Sequence, residues 1–317
     1  MGEKLGDRGV GESPIPLLII GTGAMACLFA ARLSAAGVPV GMLGGWQEAL
    51  DVLRREGVCL VKDGVCQQTY PVRATDDPAE YTGAQAALVL VKSWQTERAA
   101  QQLHACLAPG GLALTLQNGM GNREILAHRL GEERVALGVT TLGANLLGPG
   151  RVRPAGEGVI HLQAHPRLGP LVSLLQAAGF AVESVPDPSA LLWGKLVINA
   201  AINPLTALLG VHNGELLDRP AARALAAELA CEAAAVAGAL SIRLPYSDPV
   251  AAAEDVARRT AANRSSMLQD VQRGAPTEIN AICGAIARAG ERLGVPVPVN
   301  RTFWKLIQAR TETLGGE

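Results

Sequence analysis

The sequence predicts a doubly wound α/β domain followed by an all-helical domain. In the first half, short apolar runs alternate with amphipathic segments, and a glycine-rich turn follows the first run. After about residue 187 the strand signal stops, and Ala- and Leu-rich helical patterns continue to the C-terminus. A chain of 317 residues can hold two domains with a sizeable core. We assign residues 1–14 to a disordered leader, 15–186 to the α/β domain and 187–317 to the helical domain.

Short apolar runs predict the strands, and amphipathic segments predict the helices. The predicted strands are Leu17 to Ile20, Pro39 to Leu43, Ala87 to Val91, Leu112 to Leu116, Val135 to Thr140 and Ala181 to Val185. Helices are predicted to begin near Ala24, Gln95, Arg123 and Leu168, with later helices at Ala221 to Leu240 and Ile279 to Arg292.

Two antiparallel pairs are predicted within the first half. Val58 to Val61 and Val65 to Tyr70 form a hairpin around Lys62-Asp63-Gly64, because Asp-Gly favours a tight turn with positive φ. The second pair is Gly138 to Asn145 with Gly158 to Gln163.

Composition and charge argue against nucleic-acid and membrane partners. The chain has 28 Lys plus Arg against 29 Asp plus Glu and no long basic run, so it lacks the electrostatic footprint of a polyanion-binding protein. The uncharged stretch from Ser13 to Ala31 is long enough to span a membrane, but Gly21 and Gly23 divide it into a strand and a helix. We therefore expect a cytoplasmic protein.

Cysteines and histidines predict no metal site. The six cysteines contain no Cys-x-x-Cys pair, and the closest two are seven residues apart, which favours six buried thiols over a disulfide framework. His161 and His165 lie four residues apart, but no acidic ligand shares their segment.

A glycine-rich turn between the first strand and the first helix is typical of a dinucleotide site. It reads Gly21-Thr22-Gly23-Ala24-Met25-Ala26. The first glycine permits the tight turn, the second lets a pyrophosphate approach the backbone, and the small third residue lets helix and strand pack. The helix N-terminus adds amide donors and partial positive charge. A purely structural turn is the alternative.

The end of the second strand normally distinguishes NAD from NADP, through an acid or an arginine respectively. Here that place reads Leu43-Gly44-Gly45-Trp46-Gln47 and carries neither signature. Glu48 is the nearest acid, and Arg54 and Arg55 are the nearest bases, which a solvated helix face also explains.

A lysine and two asparagines share one face of a predicted helix in the second half. Lys195, Asn199 and Asn203 lie at i, i+4 and i+8 among apolar residues, and residues 196–214 carry no charge. A surface stripe is the structural alternative, but the uncharged surroundings favour burial. A buried lysine has a lowered pKa and can act as a general acid. Pro204 should kink or end this helix.

Further polar residues cluster in the segments Asn263 to Asp270 and Thr277 to Asn280. Serine and threonine before apolar runs are ordinary N-caps, which would explain either segment alone. Together with the lysine stripe they indicate hydroxyls and a carboxylate that face a cleft.

From about residue 17 to residue 305, the chain resembles the ketopantoate reductase (2-dehydropantoate 2-reductase) family. The stretches that carry the resemblance are the glycine turn, Val91 to Thr96, Leu116 to Asn122, Gly138 to Thr141, Trp193 to Leu208, Asn213 to Leu216 and Ser265 to Asn280. The resemblance implies a Rossmann-like N-terminal domain and an all-α domain like the C-terminal domain of 6-phosphogluconate dehydrogenase.

The activity that the resemblance implies is reduction of a small 2-oxo acid, ketopantoate, by hydride from NADPH, which gives D-pantoate for pantothenate and coenzyme A synthesis. It makes Lys195 and Glu278 the catalytic residues, with Lys195 as the proton donor and Glu278 near the nicotinamide ribose. The substrate would contact Lys195, Asn199, Asn203, Asn213, Asn263, Ser265 and Ser266. The cofactor would contact Gly21, Thr22, Gly23, Ala24, Met25, Ala26, Lys92, Asn118, Ala144 and Glu278.

The chain departs from the family pattern at three places. Gly45 stands where the family's arginine for the 2′-phosphate falls, which leaves NADH as an alternative cofactor. Asn280 replaces an aspartate, and Ala275-Pro276 replaces a more polar pair. Three other functions therefore stay open: reduction of another branched 2-oxo acid, a non-catalytic dinucleotide-binding regulator, and a sugar-acid dehydrogenase. The Ala-rich helical half also leaves a homodimer open.

Overall fold

The N-terminal half of the chain forms a mixed α/β domain and the C-terminal half a helical domain, which confirms the predicted fold class. The computed structural model describes residues 17–312, so the predicted leader lies outside the described residues. The strands are β1 (Leu17–Ile20), β2 (Val40–Leu43), β3 (Val58–Lys62), β4 (Val65–Tyr70), β5 (Arg73–Thr75), β6 (Ala84–Val89), β7 (Leu107–Thr115), β8 (Val135–Thr140), β9 (Ala144–Gly148), β10 (Arg151–Pro154), β11 (Val159–Gln163) and β12 (Ala181–Val185). The helices are α1 (Ala24–Ala35), α2 (Gln47–Glu56), α3 (Thr96–Cys106), α4 (Asn122–Leu130), α5 (Gly169–Ala177), α6 (Ser189–Leu209), α7 (Pro220–Ala239), α8 (Pro249–Arg259), α9 (Ser266–Gln272), α10 (Cys283–Leu293) and α11 (Pro298–Thr311).

The central sheet has eight strands in the order β12-β11-β8-β7-β6-β1-β2-β5. The strands from β8 to β5 pair in parallel, and their order is that of a dinucleotide-binding doubly wound sheet. β11 runs antiparallel to β8, with His161 opposite Val139, as predicted. The strand order reverses between β1 and β6, so a ligand is expected at the carboxyl ends of these two strands.

A second sheet, β4-β3-β10-β9, covers one side of α1. Its β3–β4 hairpin confirms the prediction, and Asp63 and Gly64 have φ angles of 53° and 80° in the turn. β5, β9 and β10 were not predicted, because they are short and interrupted by arginine, glycine or proline.

The first helix lies between the two sheets, which explains the uncharged sequence around it. Residues 26–31 of α1 are buried, and the Phe29 ring stacks on Phe180 with centroids 4.4 Å apart. A helix that is apolar on all sides must be covered on all sides. Over its described part, the stretch that resembled a membrane span is therefore a buried strand followed by a core helix.

The expectation of six buried thiols is wrong for three cysteines. Cys59 and Cys66 are joined in a disulfide across the β3–β4 hairpin, and Cys231 is exposed. The tight turn brings the two hairpin cysteines to a Cα separation of 5.8 Å, a proximity that linear spacing does not reveal. Cys27, Cys106 and Cys283 are buried free thiols, as expected.

The long helix α6 forms the centre of the helical domain. Pro204 lies inside it and the helix continues to Leu209, so of the two predicted effects, a kink or an end, the end does not occur. Among residues 17–312, α6 is the one helix long and apolar enough to cross a membrane, yet 67% of its apolar window is buried in the fold. Its apolar side packs in the core with α7, α8 and α9.

Candidate active site

A cavity of about 810 Å³ lies between the two domains, at the carboxyl ends of β1 and β6. The sheet domain contributes the loops after β1, β2, β6, β7 and β8, and the helical domain contributes α6 and α9. All but one of the predicted site residues line this cavity: Gly21, Thr22, Gly23, Ala24, Met25, Lys92, Asn118, Ala144, Lys195, Asn199, Asn203, Asn213, Asn263, Ser265, Ser266 and Glu278.

The exception is Ala26, which lies in the core beneath the glycine turn and is fully buried. Its position agrees with the physical role of a small third residue, which is to let α1 approach the sheet. Ala26 therefore shapes the turn without reaching the cavity.

The glycine turn opens directly onto the cavity. Gly21 has a φ of 125°, which favours glycine, and a Cβ there would lie 3.3 Å from the Leu90 backbone. Gly23 is the N-cap of α1, where no side chain forms a capping hydrogen bond and the first turn holds no acidic residue. The first N–H groups of α1 are thus left for a ligand, and both they and the helix dipole favour an anion. The turn fits the pyrophosphate of a dinucleotide.

Lys195 extends from α6 toward the sheet domain. Its Nζ donates a hydrogen bond of 2.7 Å to the backbone oxygen of Thr140, the last residue of β8. Burial lowers the pKa of the Lys195 ammonium to about 8, and the negative charge of Glu278 partly offsets this effect. The structure therefore holds an ammonium group with a pKa near neutrality at the meeting point of the two domains.

The amides beside Lys195 have hydrogen-bonding capacity left over. Asn199 and Asn203 line the cavity, and neither side chain makes a hydrogen bond with any residue in the range 17–312. Asn213 donates to Thr260 Oγ1 at 2.9 Å, but its buried Oδ1 has no partner among the described residues. Buried polar atoms without partners are rare in folded proteins, so Asn213 Oδ1 indicates a polar ligand, and the amides of Asn199 and Asn203 line the same cavity.

The two serines at the start of α9 have different surroundings. Ser265 is the N-cap: its Oγ accepts from Leu268 N at 3.1 Å and lies 2.6 Å from Thr206 Oγ1. Ser266 lines the cavity, and its side chain makes no hydrogen bond within the described part of the chain. The capping interpretation thus holds for Ser265, while the Ser266 hydroxyl is available to a ligand.

A charged cluster at the cavity joins the two domains. Lys92, after β6, lies 2.7 Å from Asp270 Oδ2 and 3.5 Å from Glu278 Oε2. Burial acts to lower the pKa of Lys92, but the two carboxylates outweigh burial and raise that pKa. Glu278 also accepts from Ser93 N at 3.2 Å and from Asn118 Nδ2 at 3.5 Å. These contacts fix the carboxylate that the resemblance places near the nicotinamide ribose.

Sequence reasoning assigned no individual role to several wall residues. Thr140 accepts the Lys195 hydrogen bond, Asp270 pairs with Lys92, and the indoles of Trp46 and Trp94 are exposed at the cavity. Thr140 ends a parallel strand, which is the one signal that could have singled it out. Asp270 is 178 residues from Lys92, so no spacing rule connects them.

The three departures from the family pattern lie in different places. Ala275 and Pro276 line the cavity, as does Gly45. Asn280 does not: its Oδ1 accepts from Trp304 Nε1 at 2.6 Å and from Gln308 Nε2 at 3.1 Å. The change at Asn280 therefore concerns packing against α11 rather than the cavity wall.

No group of three or more His, Cys, Asp or Glu side chains within residues 17–312 is arranged to hold a metal ion.

The sequence indicated no acidic residue near His161, but the structure brings one close. Glu183 on β12 lies 3.2 Å from His161 on the adjacent β11.

Both halves of the chain match known sequence families. Residues 17–167 match the family described as "Ketopantoate reductase PanE/ApbA", and residues 188–311 match "Ketopantoate reductase PanE/ApbA C terminal". A protein of Archaeoglobus fulgidus named 2-dehydropantoate 2-reductase is 36% identical over 295 residues, which cover 92% of this chain and 96% of that protein. The protein of the same name from Halobacterium salinarum is 33% identical and covers 92% and 97%.

Solved structures of similar proteins share the whole fold. A ketopantoate reductase of the PanE/ApbA family from Ralstonia eutropha has a TM-score of 0.86 and 32% identity, covering 93% of this chain and 98% of the other. D-mandelate dehydrogenase, solved with NADH and anilino(oxo)acetate, has a TM-score of 0.86 and 25% identity, covering 95% and 100%.

Proposed function

This chain belongs to the ketopantoate reductase family of oxidoreductases, and from that membership we propose that it reduces 2-dehydropantoate to D-pantoate with NADPH. The observation that carries the proposal is the position of Lys195, an ammonium group with a lowered pKa beside a cavity that has a dinucleotide turn at its other end. Reduction of a 2-oxo acid needs both a nicotinamide and a proton donor. The product would enter pantothenate and coenzyme A synthesis.

Lys195 is proposed as the acid. When bound, NADPH supplies hydride to the 2-oxo carbon, and negative charge develops on the carbonyl oxygen. The Lys195 ammonium stabilises that charge and donates a proton to the oxygen. The hydrogen bond to Thr140 O holds Nζ at the domain interface. A donor with a pKa of about 8 transfers its proton more readily than an ordinary lysine.

The remaining residues are proposed to bind and orient the reactants. On the cofactor side these are the turn Gly21–Met25, with Ala26 beneath it, and Lys92, Asn118, Ala144 and Glu278. On the substrate side, Asn199, Asn203, Asn213, Asn263 and Ser266 offer amides and a hydroxyl to the substrate's carboxylate and hydroxyl, and Ser265 holds the start of α9. The free Oδ1 of Asn213 and the unpaired amides of Asn199 and Asn203 support this assignment.

A second candidate, a reductase of another 2-oxo acid, is favoured by one comparison. D-mandelate dehydrogenase has the same fold and was solved with NADH, so related cavities accept that cofactor and other acids. The cavity change at Ala275-Pro276 is consistent with such a difference. The domain limits at residues 186 and 187, a cytoplasmic location and a homodimer stay predictions.

The proposal is tested by offering the purified protein ketopantoate or 3,3-dimethyl-2-oxobutanoate, which lacks only the terminal hydroxyl, with NADPH and then NADH. We expect NADPH-dependent consumption of ketopantoate and recovery of D-pantoate by chiral chromatography. Faster turnover of the compound that lacks the hydroxyl would favour the second candidate. Cofactor binding without turnover of either acid would favour a regulator, and oxidation of a sugar acid with NADP would favour a dehydrogenase of that class.

A further inference from the structure

The loop after β2 lacks the arginine or acid that normally contacts the adenosine ribose or its 2′-phosphate. A guanidinium from another element nevertheless lies beside this loop. A Cβ placed on Gly45 would be 2.7 Å from Arg98 Nη1 and 3.0 Å from Nη2. Arg98 is on the first turns of α3, which follows β6 in the chain. The absence of a side chain at position 45 is therefore what leaves this space to the Arg98 guanidinium.

Arg98 has no other evident task. It is exposed, and within residues 17–312 its guanidinium forms no hydrogen bond and no ion pair. Arg54, by contrast, forms a salt bridge with Asp51 at 3.3 Å. A guanidinium with five free donors favours a planar or tetrahedral anion.

One acid of the adjoining strand end, Asp76, is already engaged. Asp76 follows β5 and accepts a 2.7 Å hydrogen bond from Gln47 Nε2, and Arg54 lies 3.7 Å from its other oxygen. The bond from Gln47 lowers the pKa of Asp76, with smaller contributions from Arg54 and Arg98, so Asp76 is ionised. A ribose with two free hydroxyls needs an unoccupied carboxylate, whereas a 2′-phosphate needs a free cation. Asp76 is not such a carboxylate, whereas Arg98 is such a cation.

Two exposed indoles lie next to Gly45 and close to Arg98 in the chain. Trp46 follows Gly45 directly and Trp94 precedes Arg98 by four residues; they are 39% and 49% exposed and both line the cavity. Exposed flat rings at a cavity mouth provide stacking surfaces for a purine. The segments that hold the free guanidinium thus also offer surfaces for the adenine of the same ligand.

We propose that Arg98 on α3 binds the adenosine 2′-phosphate of NADPH and thereby sets the cofactor preference of this chain. The inference rests on the proposed function, since it concerns the cofactor of that reaction. In other dinucleotide-binding sheets this task is usually performed by the loop after the second strand, which is β2 here. In this chain it would be performed by α3, the helix after β6.

The test measures binding of NADPH and NADH by quenching of tryptophan fluorescence and by calorimetry, without substrate. Replacing Arg98 with alanine should weaken NADPH binding about ten- to hundredfold, the amount expected for a lost charge-assisted contact, and leave NADH binding within about twofold. Arg98→Lys should give an intermediate loss, because it keeps the charge without the fork. Arg129→Ala, which removes an exposed arginine of α4 outside the cavity wall, is the matched control.

A second variant protects the test against a simple folding defect. Gly45→Arg in the Arg98→Ala background puts a cation into the space that Arg98 vacates, and it should restore NADPH binding to within about fivefold of the starting protein. Equal loss for NADPH and NADH in Arg98→Ala, or no loss for either, would overturn the inference while leaving the proposed function standing. Failure of the unaltered protein to bind either nicotinamide would instead overturn the proposed function.

Discussion

At the scale of single residues, the function proposed here depends on one lysine whose setting could be read from the sequence. A lysine within an uncharged helical stretch is costly unless it is used, and the structure places Lys195 at the cavity with a pKa of about 8. Asp270 and Thr140 received no individual role from the sequence, because their importance comes from contacts with Lys92 and Lys195 across the chain. The Cys59–Cys66 bond was missed for a local reason, since a spacing of seven residues does not by itself reveal the 5.8 Å Cα separation that the hairpin turn produces.

The pH dependence of the reaction should report the pKa of Lys195. Because the ammonium form donates the proton, kcat/KM should be constant at lower pH and fall as pH rises through about 8. The negative charge of Glu278 raises the Lys195 pKa, so Glu278→Gln should move this falling limb to lower pH. Glu124→Gln, an exposed carboxylate on α4, should leave the limb in place. A falling limb at the same pH in Glu278→Gln and the unaltered protein would refute the electrostatic coupling between Glu278 and Lys195.

At the scale of elements, periodicity predicted most strands and helices within a few residues, while the shortest strands escaped. β5 has three residues and includes Arg73, and its existence is decided by pairing with β2 rather than by local preference. Pro204 was expected to kink or end α6; the helix does not end there, because burial of its apolar side outweighs the loss of one backbone hydrogen bond.

The start of α9 distinguishes a capping serine from a ligand-binding one. Ser265→Ala should lower the free energy of unfolding by about 1 kcal/mol, because it removes the cap on Leu268 N and the contact with Thr206. Ser266→Ala should change stability by less than about 0.5 kcal/mol and raise the KM for the 2-oxo acid. Urea unfolding and steady-state kinetics measure the two effects. The opposite pattern would reverse the assignment of the two serines.

Two helical glycines should respond in opposite directions to alanine. A Cβ on Gly194 would lie 2.8 Å from the Pro245 ring, so Gly194→Ala should destabilise by about 1–3 kcal/mol. Gly238 in α7 is exposed and has open space at the same position, so Gly238→Ala should stabilise by about 0.5–1 kcal/mol. Thermal melting of both variants checks this. A similar gain for both would show that the Pro245 contact relaxes freely.

At the scale of the whole molecule, the sequence predicted two domains and a cleft, but the contacts that join them could not be predicted. Lys92 and Asp270 belong to different domains and meet only after both have folded. Charge and composition give no indication of such a pair, because each residue alone looks like an ordinary surface group. The cavity between the domains is consequently a property of the assembled chain.

A double-mutant cycle should measure this connection. Lys92→Met and Asp270→Asn should each destabilise the protein, since each leaves a poorly solvated partner. The double variant should lose less than the sum by about 0.5–3 kcal/mol. Asp255→Asn, which affects only exposed pairs of α8, should combine additively with Lys92→Met. Strict additivity for Lys92 with Asp270 would show that the interdomain ion pair contributes nothing to stability.

The most direct test of the central claim is the loss of reduced-nicotinamide absorbance with ketopantoate, compared between the unaltered protein and Lys195→Ala at matched NADPH saturation. If Lys195 donates the proton, kcat should fall about 10²- to 10⁴-fold, the range for a lost general acid, with the Kd for NADPH unchanged. Turnover by Lys195→Ala within a few-fold of the unaltered protein would contradict the claim that this lysine donates the proton.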